Sequence, residues 1–147
     1  MNHASITSRF IAMVIDTVIL TTLYLIFMLL FGVLGGIITE INNPIVNSLS
    51  VTALLVLFVT VMSLQFVYYG YFWSTTGQTL GMKWLNVKVV DQKTQQPISL
   101  VKGALRGTLG YYISGSVGGL GYIWAIFDDN KQAWHDKIFN TQVVNTV

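Results

Sequence analysis

Two long apolar runs dominate the chain, and most polar positions fall between or after them. Phe10 to Phe31 carries one charge, Asp16, and Val51 to Trp73 carries none. Each reaches the roughly 20 residues that a helix needs to cross a ~30 Å hydrocarbon core, so both are expected to be transmembrane helices. Asp16 inside the first run, and the length of that run, argue against a cleaved leader. "NNPIVNS" between the runs reads as a turn-rich loop, with Glu40 its nearest charge. After the second run Trp84, Asn86, Lys88 and Val90 alternate with Leu85, Val87 and Val89, which is strand periodicity. "DQKTQQP" reads as a turn with Pro97 opening a return strand, so a small β-hairpin is expected over about 82–99.

A third apolar stretch, Leu100 to Phe127, holds seven glycines. Glycine inside a helix costs about 1 kcal/mol relative to alanine. This stretch is therefore expected to break at "SGSVGG" into two half-helices that enter and leave the membrane on one side. A broken backbone at membrane depth survives only where protein or a wet cavity surrounds it. The other option is one glycine-rich span with "GALRG" and "GSVGG" as close-packing patterns. "NTQVVN" near the C-terminus alternates like a strand and is expected to pair with "NVKVV", which requires both on one side.

Composition agrees with a membrane location. Of 147 residues only 10% are charged and the mean hydropathy is +0.62, against about 25% charged in soluble domains. The length suits one domain, 1–147, with spans about 10–31, 51–73 and 100–127. A net charge of +2 without a Lys/Arg run gives no support for a nucleic-acid partner. The absence of cysteine removes disulfides and thiol catalysis. The segment from Gly32 to Ser50 lacks Lys and Arg, whereas Arg9, Lys83, Lys88, Lys93 and Lys102 flank the other ends of the runs. By the positive-inside rule those ends are cytoplasmic.

No enzyme signature is present: there is no nucleophile elbow, phosphate loop or HExxH. Neither a cofactor nor a metal site is expected from two histidines and dispersed carboxylates. Tyr68, Tyr69, Tyr71, Phe72 and Trp73 read as an exposed interfacial aromatic belt rather than a ligand cage. Gly32/Gly36 and Gly115/Gly119 offer small-residue faces for a homo-oligomer.

Asp16 carries the strongest chemical signal. A carboxylate at mid-span costs roughly 2.5–3.5 kcal/mol on insertion scales and must point into protein or a wet cavity. Arg9 lies seven residues away, about 20° in azimuth and about 10 Å along a helix. Its candidate partners are Arg9, Arg106, Thr17, Thr21 and Gln65, or a bound cation. Three roles are open: a proton or monovalent-cation site, which leads; an Arg9–Asp16–Arg106 structural clamp; or a surface for another membrane protein. In "WHDK" the adjacent His135 and Asp136 side chains are expected to diverge. Asp136 is favoured as a helix cap or a backbone or lysine acceptor, ahead of pH sensing by His135.

"SRFIAMVID", "TTGQTLGMKWLNVKVVD", "ALRGTLG" and "WHDKIFNTQVV" together resemble the RDD family of small integral membrane proteins, across nearly the whole chain and in the family order. The family is named for one arginine and two aspartates, which match Arg9, Asp16 and Asp136. The resemblance implies an all-helical membrane domain in the inner membrane. It also implies transport of unidentified ligands, sodium/proton exchange being one form, and other members are parts of larger assemblies. The expectation is an all-α membrane protein with a cytoplasmic hairpin: a non-enzymatic transporter or channel-like component for cations or protons. Arg9, Asp16, Gln65, Arg106 and Asp136 are its candidate ligand residues. The alternative is a structural or adaptor subunit.

Overall fold

The computed structural model describes residues 2–39 and 44–146. Helix α1 spans Ile6–Thr39 and α2 spans Pro44–Thr75. The short α3 (Leu80–Trp84) and strand β1 (Val87–Asp91) follow. Then come α4 (Leu100–Leu105), a π-helical turn (Arg106–Gly110), α5 (Tyr111–Ser116), α6 (Leu120–Phe127), α7 (Trp134–Ile138) and β2 (Thr141–Asn145). Two helical segments, Ile6–Leu30 and Leu55–Thr75, are long and apolar enough to cross a membrane. Only 11% and 18% of them are buried in protein, which fits a lipid environment better than a soluble core. Part of the expected "NNPIVNS" loop is helical, because α2 begins at Pro44, where a proline is pre-set for the first turn. The rest of that loop lies outside the described residues.

The chain divides into two compact units, Val18–Leu64 and a larger one formed by Met1–Thr17 with Gln65–Val147. In the smaller unit Leu20 and Leu57 are buried while Leu25, Ile26, Met28, Leu29 and Leu30 are exposed. Its hydroxyls bond back along their own helices, as Thr22 does to Val18 and Thr60 to Val56 (both 2.8 Å). Such bonds let polar side chains sit in an apolar span without leaving donors unsatisfied.

In the larger unit β1 pairs antiparallel with β2, Val89 opposite Val143. Val87, Val89, Val90, Val143 and Val144 are buried. The N-terminal segment joins this sheet: His3 bridges Val144, and the Ala4 N–H donates to the Val143 carbonyl at 3.0 Å. The pairing of "NVKVV" with the C-terminal segment is present, but the local hairpin is not. After β1, Asp91 closes a turn, its carboxylate accepting from the Lys93 and Thr94 N–H groups at 2.9 and 3.1 Å. The expected return strand does not form at 97–99, and Ser99 caps α4 at the Lys102 N–H directly after it. Pro97 has no N–H to give to a ladder.

In the glycine-rich segment α5 ends at Ser116 and α6 begins at Leu120. Gly118 and Gly119 adopt φ of +58° and +79°, a left-handed conformation that suits glycine. Helix α6 then folds back on α5, so closely that a Cβ on Gly121 would sit 2.5 Å from the Ser114 Cα. Gly119 therefore lies at a break and does not share a helix face with Gly115, and the expected association face there is absent. Gly32 has open space around it, and the surroundings of Gly36 lie outside the described residues. "GALRG" does serve close packing: a Cβ on Gly107 would meet the Tyr69 ring at 2.3 Å, and one on Gly103 would meet the Tyr69 carbonyl at 3.3 Å.

Candidate functional site

Asp16 is buried in the larger unit and held by three donors from separate parts of the chain. Its Oδ1 accepts from the Tyr68 hydroxyl at 2.7 Å and the Gly81 N–H at 2.9 Å. Its Oδ2 accepts from the Thr79 hydroxyl at 2.5 Å. Thr79 has two tasks, since its oxygen also accepts from the Met82 N–H as the N-cap of α3. Gly81 is required by proximity: a Cβ there would lie 2.4 Å from the Ala12 carbonyl. Asp16 thus ties α1 to α2 and α3 through neutral donors. Among the described residues it forms no ion pair.

The Arg9–Asp16–Arg106 clamp, the second of the three roles open for Asp16, does not form; both arginines converge on Asp136 instead. Arg106 Nη2 donates to Asp136 Oδ1 at 2.6 Å, and Arg9 Nη1 lies 3.4 Å from Oδ2. The reason is geometric. Arg9 stands two turns from Asp16 on α1, whereas the β1–β2 sheet brings the C-terminal segment beside the start of α1. Arg9 also donates to the Val143 carbonyl at 3.0 Å and to the Lys131 carbonyl. Arg106 Nε donates to Thr141 Oγ1 at 3.0 Å, and its guanidinium lies 4.4 Å from the Trp73 ring centroid. Asp136 and Arg106 are each about 1% exposed as side chains.

Asp136 also accepts from the Ala133 N–H at 3.2 Å and the Thr141 hydroxyl at 3.1 Å. The first bond makes it a helix cap at the start of α7, as expected. Burial alone would raise its pKa, but the Arg106 and Arg9 guanidiniums outweigh burial and hold the carboxyl well below its usual range. His135 and Asp136 do not diverge: both side chains are buried, with Nε2 and Oδ2 3.8 Å apart. His135 Nδ1 meets Ser114 Oγ at 2.9 Å, and burial lowers its pKa to about 3. The buried imidazole is neutral.

Gln65 donates to the Gly107 carbonyl at 3.2 Å, on the π-helical turn, and makes no bond to Asp16 among the described residues. The aromatic belt is only partly a belt. Tyr71 is exposed, but Tyr69 and Trp73 are buried and stacked at 4.7 Å. Tyr68, Thr79, Gly81, Trp73 and Thr141 were not expected as site residues. The sequence signal for one of them was available: "TLGMK" reads as a capped helix start, and a cap hydroxyl has a hydrogen left to donate.

A cavity of about 520 Å³ opens beside the Arg9–Asp136–Arg106 cluster. Arg9, Arg106, His135 and Asp136 line it together with apolar side chains that include Phe10, Met13, Ile123 and Ile126. No group of three or more potential metal ligands occurs among the described residues.

Two apolar, lipid-compatible helices and a helical unit clasped by a buried charge cluster define a small helical membrane protein with a two-stranded sheet. The chain belongs to the RDD family, whose model matches residues 3–140. It is similar to the proline-rich antigen homolog of Mycobacterium tuberculosis, with 33% identity over 52% of this chain and 31% of that protein. It is also similar to the proline-rich antigen of Mycobacterium leprae, with 29% identity over 50% of this chain and 29% of that protein. The matched part is thus under a third of the length of either relative. No solved structure matches.

Proposed function

We propose that this chain is a non-enzymatic transporter or channel-like component of the inner membrane, and that its ligand site is the cavity walled by Arg9, Arg106 and Asp136. The observation that carries this is a buried charge cluster lining a cavity of about 520 Å³, a size within the range of small-molecule sites. Proton or monovalent-cation exchange at Asp16 draws less support, because three protein donors already occupy its oxygens. At Asp136 two guanidiniums stand where a cation would have to bind.

The topology belongs to the same proposal. Strand β1, strand β2 and residues 2–4 hydrogen-bond to one another, so they share one side of a bilayer. The Lys/Arg distribution supports a cytoplasmic assignment for that side. Lys102, near the start of the glycine-rich segment, bonds Asp91 of β1, and Gln132, just beyond its end, bonds Thr141 of β2; a turn at Gly118–Gly119 between them suits a re-entrant pair of half-helices. A second role, as a structural or adaptor subunit, is favoured by one finding: in the similar mycobacterial proteins the matched part is a minor section of a longer chain.

Purified protein in liposomes separates the two. Movement of protons, sodium or a small organic anion, lost when Ala125→Phe fills the cavity, supports transport. Silence with all three, together with co-purification of a stoichiometric membrane partner, supports the adaptor.

A further inference from the structure

Two guanidinium nitrogens of residues in the cavity wall make no hydrogen bond among the described residues. Arg106 Nη1 and Arg9 Nε are buried without a hydrogen bond, and both residues line the same cavity. Every other guanidinium nitrogen of these two residues is bonded within the protein. A buried donor left unsatisfied costs about 1–3 kcal/mol, more when charged, so two such donors on residues that line one cavity mark a place for an acceptor. The charges point the same way. Two guanidiniums face one carboxylate, and the neighbouring His135 is neutral, which leaves one positive charge without an anion. The rest of the wall is mostly apolar, with Thr7, Tyr111 and Tyr122 adding hydroxyls, and Phe10, Ile123 and Ile126 at the cavity are 58%, 46% and 51% exposed. Phe10 belongs to a helix apolar enough to span the bilayer. The cavity is therefore lined in part by exposed side chains suited to lipid.

We propose that the cavity binds an amphiphile with one anionic carboxylate or phosphate head and an apolar tail, the head accepting from Arg9 Nε and Arg106 Nη1 and the tail lying against Phe10, Met13, Ile123 and Ile126. Guanidinium is suited to this, because its fixed donor fork matches carboxylate and phosphate oxygens. The assignment names the ligand class for the cavity proposed above as the ligand site. Its test reads binding alone, so binding without flux would sink transport and leave the ligand class standing.

Three probes separate the parts of the claim when added to the purified protein in maltoside micelles: dodecyl phosphate, dodecanol and inorganic phosphate. Binding is read by native mass spectrometry and by the shift in Tm. Dodecyl phosphate is expected to add one molecule per chain, with dodecanol and inorganic phosphate each at least tenfold weaker. Ala125→Phe, which fills the cavity without touching an ion pair, should weaken dodecyl phosphate at least tenfold. Ile123→Trp at the rim should do the same should the first variant fail to fold. Arg9→Lys keeps the charge but removes Nε–H and should weaken the anionic probe more than dodecanol. Equal affinity for dodecanol would overturn the anionic head, and equal affinity for inorganic phosphate would overturn the tail. Unchanged binding in a folded cavity variant, or no binding of any probe, would overturn the site.

Discussion

Asp136 is the residue on which most of the larger unit converges, and its contacts yield two expectations. Removing one side of a buried ion pair costs about 3–5 kcal/mol, because the partner charge stays buried. Asp136→Asn should therefore lower Tm in detergent sharply, and Arg106→Gln should do so too. The double variant should be more stable than the two single losses added together. Simple additivity, measured by thermal melts of all four proteins, would remove the coupling. The second expectation concerns pH. His135 is held near pKa 3 when folded and returns to about 6.5 when unfolded. The unfolded chain then binds the extra proton between these values, so stability falls as pH drops from about 6.5 toward 3 and is flat in this term above 6.5. The Asp91 carboxyl, bonded by Lys102 and lowered to about 2, and the lowered Asp136 add a further loss at the acid end. His135→Asn should flatten the slope between pH 6.5 and 4 in a series of melts. At this scale the sequence revealed which residues were unusual but not whom they met. Arg9, Asp16, Arg106 and Asp136 stand out as charges among apolar neighbours. Their partnering depends on a sheet joining residues more than fifty positions apart, and spacing on one helix gives no access to that.

Among the elements, those with a strong local period were legible. The two long runs became α1 and α2, and both valine-rich alternations became strands. The pairing of β1 was half legible: "NTQVVN" was a recognisable partner, while the local hairpin failed because Pro97 has no N–H for a ladder and the Ser99 cap starts a helix directly after it. The π-helical turn at Arg106–Gly110 had no signal, since an i→i+5 turn has no composition of its own. Its position beside the Tyr69 ring gives an element-scale test. Gly107→Ala forces a methyl into space the ring occupies, and overpacking of this kind costs about 1–3 kcal/mol. A lower Tm is expected for Gly107→Ala, and Tyr69→Leu added to it should restore part of the loss. At Gly118 the cause differs, since its φ is positive but nothing crowds it. Gly118→Asn should therefore be tolerated better than Gly118→Val, because asparagine visits the left-handed region more readily.

For the whole molecule, the central claim is that the N-terminal segment, the sheet and both ends of the glycine-rich segment lie on one side of a membrane crossed twice, around the buried Arg9–Asp136–Arg106 cluster. Single cysteines in this cysteine-free chain test it directly. With cysteine placed singly at Asn43, Lys93 and Asn145, intact cells are treated with a membrane-impermeant thiol reagent, and then again after permeabilisation. Labelling in intact cells at position 43 alone, with 93 and 145 reacting only after permeabilisation, is the predicted result. Labelling of intact cells at 145 but not at 93 would place the two strands on opposite sides of the bilayer and contradict the account.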